Sequence, residues 1–202
     1  ILPEENFIMS RNAIFIDRFT NKNVEKIPFR FIYSSSPDRG LSYLMNMIQK
    51  IKERYEKTTL YIFANKELID IDTLKIIESL DYVTLSHRIP QDQLAIEFLK
   101  SDIWLYPTDF EETYCITALE AMAAKCLIAT VDFCGLGNIV QGKGIVCKEP
   151  IEENINDLLS KLFFVLDKPT LKEYFINKAY NWAKDQTYEN LALEWERDVF
   201  SK

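Results

Sequence analysis

From residue 29 to residue 148 the apolar residues switch repeatedly between short continuous runs and spacings of three and four. Few folds tolerate that pattern. Runs of strand length predict strands over 29–34 (FRFIYS), 58–64 (TTLYIFA), 82–86 (YVTLS), 103–107 (IWLYP), 127–133 (LIATVDF) and 144–148 (GIVCK). Between them lie segments with helical spacing. Leu41, Leu44, Met45, Ile48, Ile51 and Tyr55 make one stripe, and helices are predicted over 68–80, over 91–100 behind Pro90, and over 113–125. Strands so uniformly apolar are buried on both faces, and helical crossovers between them produce an α/β fold with a parallel sheet of about six strands flanked by helices. After Pro150 only helical spacing remains. Its stripes are Ile155, Leu158, Leu159, Leu162, Phe163 and Leu166, then Leu171, Tyr174, Phe175 and Trp182, then Leu191, Trp195 and Val199.

The 202 residues, 48% of them hydrophobic and 13% aromatic, suffice for one well-cored domain or two small ones. A formal net charge of −7 argues against a nucleic-acid partner, which needs a broad basic surface. No uncharged apolar run reaches the roughly 18 residues of a membrane span, so no span is expected. Four cysteines without a CxxC pair, and a single histidine, cannot make a zinc-finger ligand set; no metal is expected. There is no N-x-S/T site and no basic-then-apolar leader, and free thiols suit a reducing compartment, so the expected location is cytoplasmic. The opening ILPEEN, without Met, reads as part of a longer chain.

In a parallel α/β sheet, ligands sit in the crevice at the carboxyl ends of the strands. Three segments occupy that place: SSSPDRG (34–40), HRIP (87–90) and PTDFEETYCITALE (107–120). In the third, a predicted helix start at Thr113–Ile116 presents unpaired amides that attract an anion. Asp109, Glu111 and Glu112 beside it repel a free phosphate. A ligand carrying both phosphate and hydroxyl groups resolves the conflict, since carboxylates only accept hydrogen bonds. Glu112 and Glu120, eight positions apart on one helix, would be separated by about 12 Å, a span that matches the reach across a diphosphate.

Glu112, seven residues and Glu120, within YPTDFEETYCITALEAMAA, resemble the E-x7-E signature of retaining GT-B glycosyltransferases, family four in particular. FRFIYSSSPDRGL resembles the first strand and phosphate loop of the same domain, RNAIFIDRF its entry segment, and TYENLALEWERDVF its closing helix. Two glutamates at this spacing occur by chance in many helical proteins; four segments in the right order are far more specific.

This resemblance implies a Rossmann-like fold, one half of a GT-B enzyme, with residues 1–26 an entry segment from a preceding domain and 27–202 the nucleotide-sugar donor-binding domain. It implies retaining transfer of a sugar from a nucleotide diphosphate, without metal or other cofactor, to an acceptor bound by an N-terminal domain of the longer chain. Glu120 would hold the ribose and Glu112 the donor sugar. Amides from Thr113, Tyr114, Cys115, Ile116 and Thr117 would hold the diphosphate, neutralised by Arg39. The other basic residue expected in that loop falls on Ser34 or Ser35, and Arg88 is the candidate replacement; Gly40 completes the loop. Arg39 and Glu112 are thus the expected catalytic pair, and the chain alone should transfer poorly. Lys125 stands where the resemblance leads one to expect a left-handed glycine, and Asn138 where a glutamate is usual. A non-catalytic module of the same fold, or a GT-B sugar-nucleotide epimerase, are the alternatives. His87, without a Cys or Ser partner at a motif spacing, reads as a strand-end residue, and the cysteines and tryptophans read as core apart from Cys115.

Overall fold

The computed structural model describes residues 10–20 and 22–200. Six strands, β1 (Ile27–Tyr33), β2 (Thr59–Phe63), β3 (Val83–Ser86), β4 (Ser101–Tyr106), β5 (Leu127–Asp132) and β6 (Ile145–Lys148), form one parallel sheet in the order β3-β2-β1-β4-β5-β6. This is the doubly wound, Rossmann-like arrangement. Its direction of winding reverses between β1 and β4, so the loops after these two strands flank the crevice. Helices α1 (Leu41–Arg54), α2 (Ile71–Ser79), α3 (Gln91–Lys100), α4 (Ile116–Ala123), α5 (Cys134–Val140), α6 (Ile151–Leu166), α7 (Pro169–Ala183) and α8 (Tyr188–Trp195) cover the sheet. Phe31, Ile32, Ile103, Leu105, Leu127 and Ala129 are fully buried on the central strands. Among the described residues, no helix is long and apolar enough to cross a membrane.

Two local devices set the crevice. Gly40 caps α1 at φ 89°, and a Cβ there would lie 2.0 Å from the Pro107 carbonyl oxygen. The loop after β1 therefore closes directly onto the end of β4. At the other end of β1, Phe29 adopts φ 59° at a bulge, where its amide donates to Asp102 Oδ2 at 2.9 Å. Lys172 on α7 pairs with both oxygens of the same carboxylate at 2.7 Å.

The described part of the entry segment docks on the closing helix. The Ile14 amide donates to the Gln186 carbonyl at 2.9 Å, Arg11 pairs with Glu194 at 2.7 Å, and Ala13, Ile14 and Phe19 are buried in the common core. Residues 1–9 and 21 of the expected 1–26 segment lie outside the described residues.

Four expectations need correction. The helix predicted over 113–125 begins only at Ile116, because Cys115 is left-handed at φ 53° and cannot continue a helix backwards. Residues 134–140, for which no element is predicted, form α5; its two glycines weaken the local signal, and burial of Leu136, Ile139 and Val140 overrides it. Trp195 is 45% exposed rather than core, and the third C-terminal stripe lies on the surface. Cys134 is exposed, unlike the other three cysteines. Lys125 does take the left-handed conformation, at φ 58°, with Lys125 and Cys126 amides returning to Met122 and Ala121 carbonyls to close the helix end.

Candidate functional site

Ser34, Ser35, Ser36, Arg39 and Arg88 line one cavity of about 300 Å³ at the carboxyl ends of β1–β3, closed on its apolar side by Phe63, Ile89 and Leu94. The loops after β1 and β3, distant in sequence, are brought together because both strands flank β2 in a parallel sheet. The Ser34 hydroxyl and Arg39 Nε are buried without a protein hydrogen-bond partner. Arg39 stacks its guanidinium 3.9 Å from the centre of the Phe110 ring and reaches Glu112 Oε1 through Nη1 at 3.1 Å.

Glu112 and Glu120 are both buried, each 8% exposed. Their surroundings differ. Glu112 sits in the loop before α4 rather than on the helix, so the expected helical rise between the two carboxylates does not apply. Besides Arg39 it accepts the Tyr106 hydroxyl at 2.8 Å. Glu120, on α4, has no side-chain hydrogen bond among the described residues. Burial pushes its carboxyl up to about 7, with the Arg18 guanidinium only partly opposing the effect. Both carboxylates act on the thiol of Cys115, which burial drives up to about 12 with Glu112 and Glu120 adding to it. In chain order the pair stands on either side of the α4 start, Glu112 ahead of it and Glu120 within the helix.

At that start the Ile116 and Thr117 amides have no backbone partner among the described residues, while Ala118 donates to the Cys115 carbonyl. Ile116 and Thr113 are exposed, Tyr114 and Thr117 half-buried, and Cys115 buried. Gly135, at the head of α5, donates its amide to the Glu112 carbonyl at 2.8 Å, and a Cβ on it would meet the Thr113 carbonyl at 2.0 Å. The helix missed from the sequence thus buttresses the Glu112 loop. Gly40 holds its place by packing against Pro107.

His87 is exposed and lies on a neighbouring depression with Asn65, Lys66 and Ser86, outside the serine–arginine cavity. Asn138 is exposed on α5. Sequence reasoning missed Tyr106, Phe110 and Arg18. The one signal available for Tyr106 was a tyrosine ending a buried strand just ahead of the acidic loop; Phe110 lies in the 107–120 segment but has no polar group to single it out, and nothing local pointed to Arg18.

A family model described as "Glycosyl transferases group 1" matches residues 13–182. No curated protein matches the chain. Among solved structures, WaaG, described as "a glycosyltransferase involved in lipopolysaccharide biosynthesis", is similar over 98% of this chain and 57% of its own, with 16% identity and a TM-score of 0.77. The pneumococcal O-GlcNAc transferase GtfA, solved with UDP and GlcNAc, is similar over 95% of this chain and 38% of its own, with 15% identity and a TM-score of 0.76. A glycosyltransferase from Rickettsia africae is similar over 99% and 58%, with 14% identity and a TM-score of 0.76. At these identities the likeness is one of fold. The chain spans between 38% and 58% of the length of these three proteins.

Proposed function

The chain belongs to the group 1 glycosyl transferases, and from that premise we propose that it is the donor-binding domain of a retaining family-four enzyme, taking a nucleotide-diphosphate sugar. The observation that carries this reading is the pair of buried carboxylates flanking the open amides of α4, one of them, Glu120, without a hydrogen-bond donor. A mostly buried carboxylate with no protein donor offers its oxygens to ligand hydroxyls, and open helix-start amides favour phosphate. In this reading Glu120 accepts the ribose hydroxyls and Glu112 a hydroxyl of the donor sugar. The Thr113–Thr117 amides, Arg39 and the unpartnered Ser34 hydroxyl hold the diphosphate.

Arg88, sharing a cavity with Arg39, supplies the second positive charge where Ser34 and Ser35 stand in place of an arginine. Charge builds on the leaving diphosphate as the bond to the sugar breaks, and these preorganised donors stabilise it more than they stabilise the bound ground state. The chemistry needs no metal in this reading. The acceptor site belongs to a preceding domain of the longer chain, against which the exposed Leu193, Trp195 and Phe200 around α8 would pack, in the cytoplasm.

A non-catalytic module of the same fold is the second reading, favoured only by the serine at the arginine position. His87 does not line the cavity, so an epimerase reading would have to draw its base from a carboxylate. Calorimetric titration with UDP, GDP and ADP and with their glucose esters tests the proposal. At least one pair should bind with sub-millimolar strength, and Glu120→Ala should abolish binding; no binding by any of them refutes the donor-domain reading.

A further inference from the structure

The Tyr106 ring is 1% exposed at the end of β4, stacked on Trp104 with centres 4.9 Å apart, and the strand end is pinned by the Thr130 hydroxyl, which donates to the Tyr106 carbonyl at 2.5 Å. The tyrosine hydroxyl therefore stands at a fixed point. It lies 2.8 Å from Glu112 Oε1 and 3.2 Å from Ser35 Oγ. A carboxylate can only accept, so the single phenolic hydrogen goes to Glu112 and Ser35 donates to the phenolic oxygen. Burial raises the proton affinity of the phenol, which keeps it a donor throughout the ordinary pH range. Arg39 Nη1 reaches the same Oε1 at 3.1 Å. No described residue bonds Oε2.

We infer that Tyr106 is a positioning residue for Glu112: held by Ser35, its hydroxyl fixes Oε1 together with Arg39 and leaves Oε2 to accept a hydroxyl of the bound sugar. The inference rests on the donor-domain reading. The physical need for it follows from the other donor. Arg39 is on a loop with its side chain one-third exposed, and a single donor leaves a carboxylate free to swing about its last bond. A second donor from a rigid strand removes that freedom before the ligand arrives, so the sugar contact forms without a fresh ordering cost. Ser35, where the resemblance leads one to expect an arginine, then serves the carboxylate through the phenol.

The test uses the chain as it stands, with UDP and UDP-glucose, or the guanosine or adenosine pair if that is the one the wild type binds. Tyr106→Phe keeps the ring and removes the hydroxyl. It should weaken the sugar nucleotide about tenfold while leaving the diphosphate within about twofold, the loss expected of one charge-assisted hydrogen bond. A purely structural role would weaken both alike. Should Tyr106→Phe fail to fold, Ser35→Ala removes the far end of the relay and should lower the same ratio by a smaller factor. An unchanged ratio in the folded variant overturns the inference while the donor-domain reading stands; a wild type that binds neither ligand overturns that reading instead.

Discussion

Glu120 offers the sharpest perturbation. Its carboxyl titrates near 7 in the folded chain against 4.5 when unfolded, because burial withholds water and no described side chain donates to it. Below pH 4.5 it is neutral in both states and costs nothing. As pH rises toward 7 the unfolded chain ionises first, so the folded state binds more protons and stability falls; above 7 the loss levels off. At about 1.4 kcal/mol per pH unit, the full loss is about 3 kcal/mol. Glu120→Gln keeps the shape and removes the ionisation. The variant should match the wild type near pH 4.5 and exceed it by up to about 3 kcal/mol at pH 8, roughly 6–12 °C in midpoint for a chain of this size. Urea or thermal denaturation of both proteins at pH 5, 6, 7 and 8 reads this directly. A difference that does not grow with pH refutes the claim that Glu120 is held desolvated and unpaired. The same variant should lose nucleotide affinity, so stability and binding move in opposite directions, as expected where a site is kept unsatisfied for its ligand.

Two further outcomes follow from the frame of the crevice. Gly40→Ala places a methyl 2.0 Å from the Pro107 oxygen at a positive φ, and should destabilise the fold by more than about 3 kcal/mol in urea denaturation. A loss below about 1 kcal/mol would mean that the two loops are not in contact. Asp102→Ala strips the Phe29 amide and the half-buried Lys172 of their shared partner; a loss of about 2–4 kcal/mol is expected, whereas an effect near zero would show the bulge to be held by packing alone.

Much of the architecture was legible because it is written in short range. The strands are apolar enough to be buried on both faces, and the alternating periods leave the parallel sheet as the consistent packing. The α3 helix behind Pro90 has the predicted bounds because proline at a helix start costs no hydrogen bond. The α4 start was misplaced because a left-handed Cys115 carries no sequence mark of the kind glycine provides. The α5 helix was hidden because two glycines in seven residues argue against helix locally, while Gly135 packs against the Thr113 carbonyl, which only the folded chain brings near. The surface position of Trp195 was equally invisible, since an apolar stripe tells that a face avoids water but not which neighbour covers it.

By itself the sequence determined the six strands, the crevice they open onto and the loops that end there, because periodicity and strand length depend on neighbours a few residues away. Only the tertiary structure decided that Arg39 and Arg88 share a cavity, that Glu112 leaves the helix to meet Tyr106 and Arg39, and that Glu120 stays buried with no donor. Arg39 lies 73 residues from Glu112 yet 3.1 Å from its carboxylate, and which groups reach such range, or are left without a partner, is set by how elements pack rather than by the order of residues along the chain.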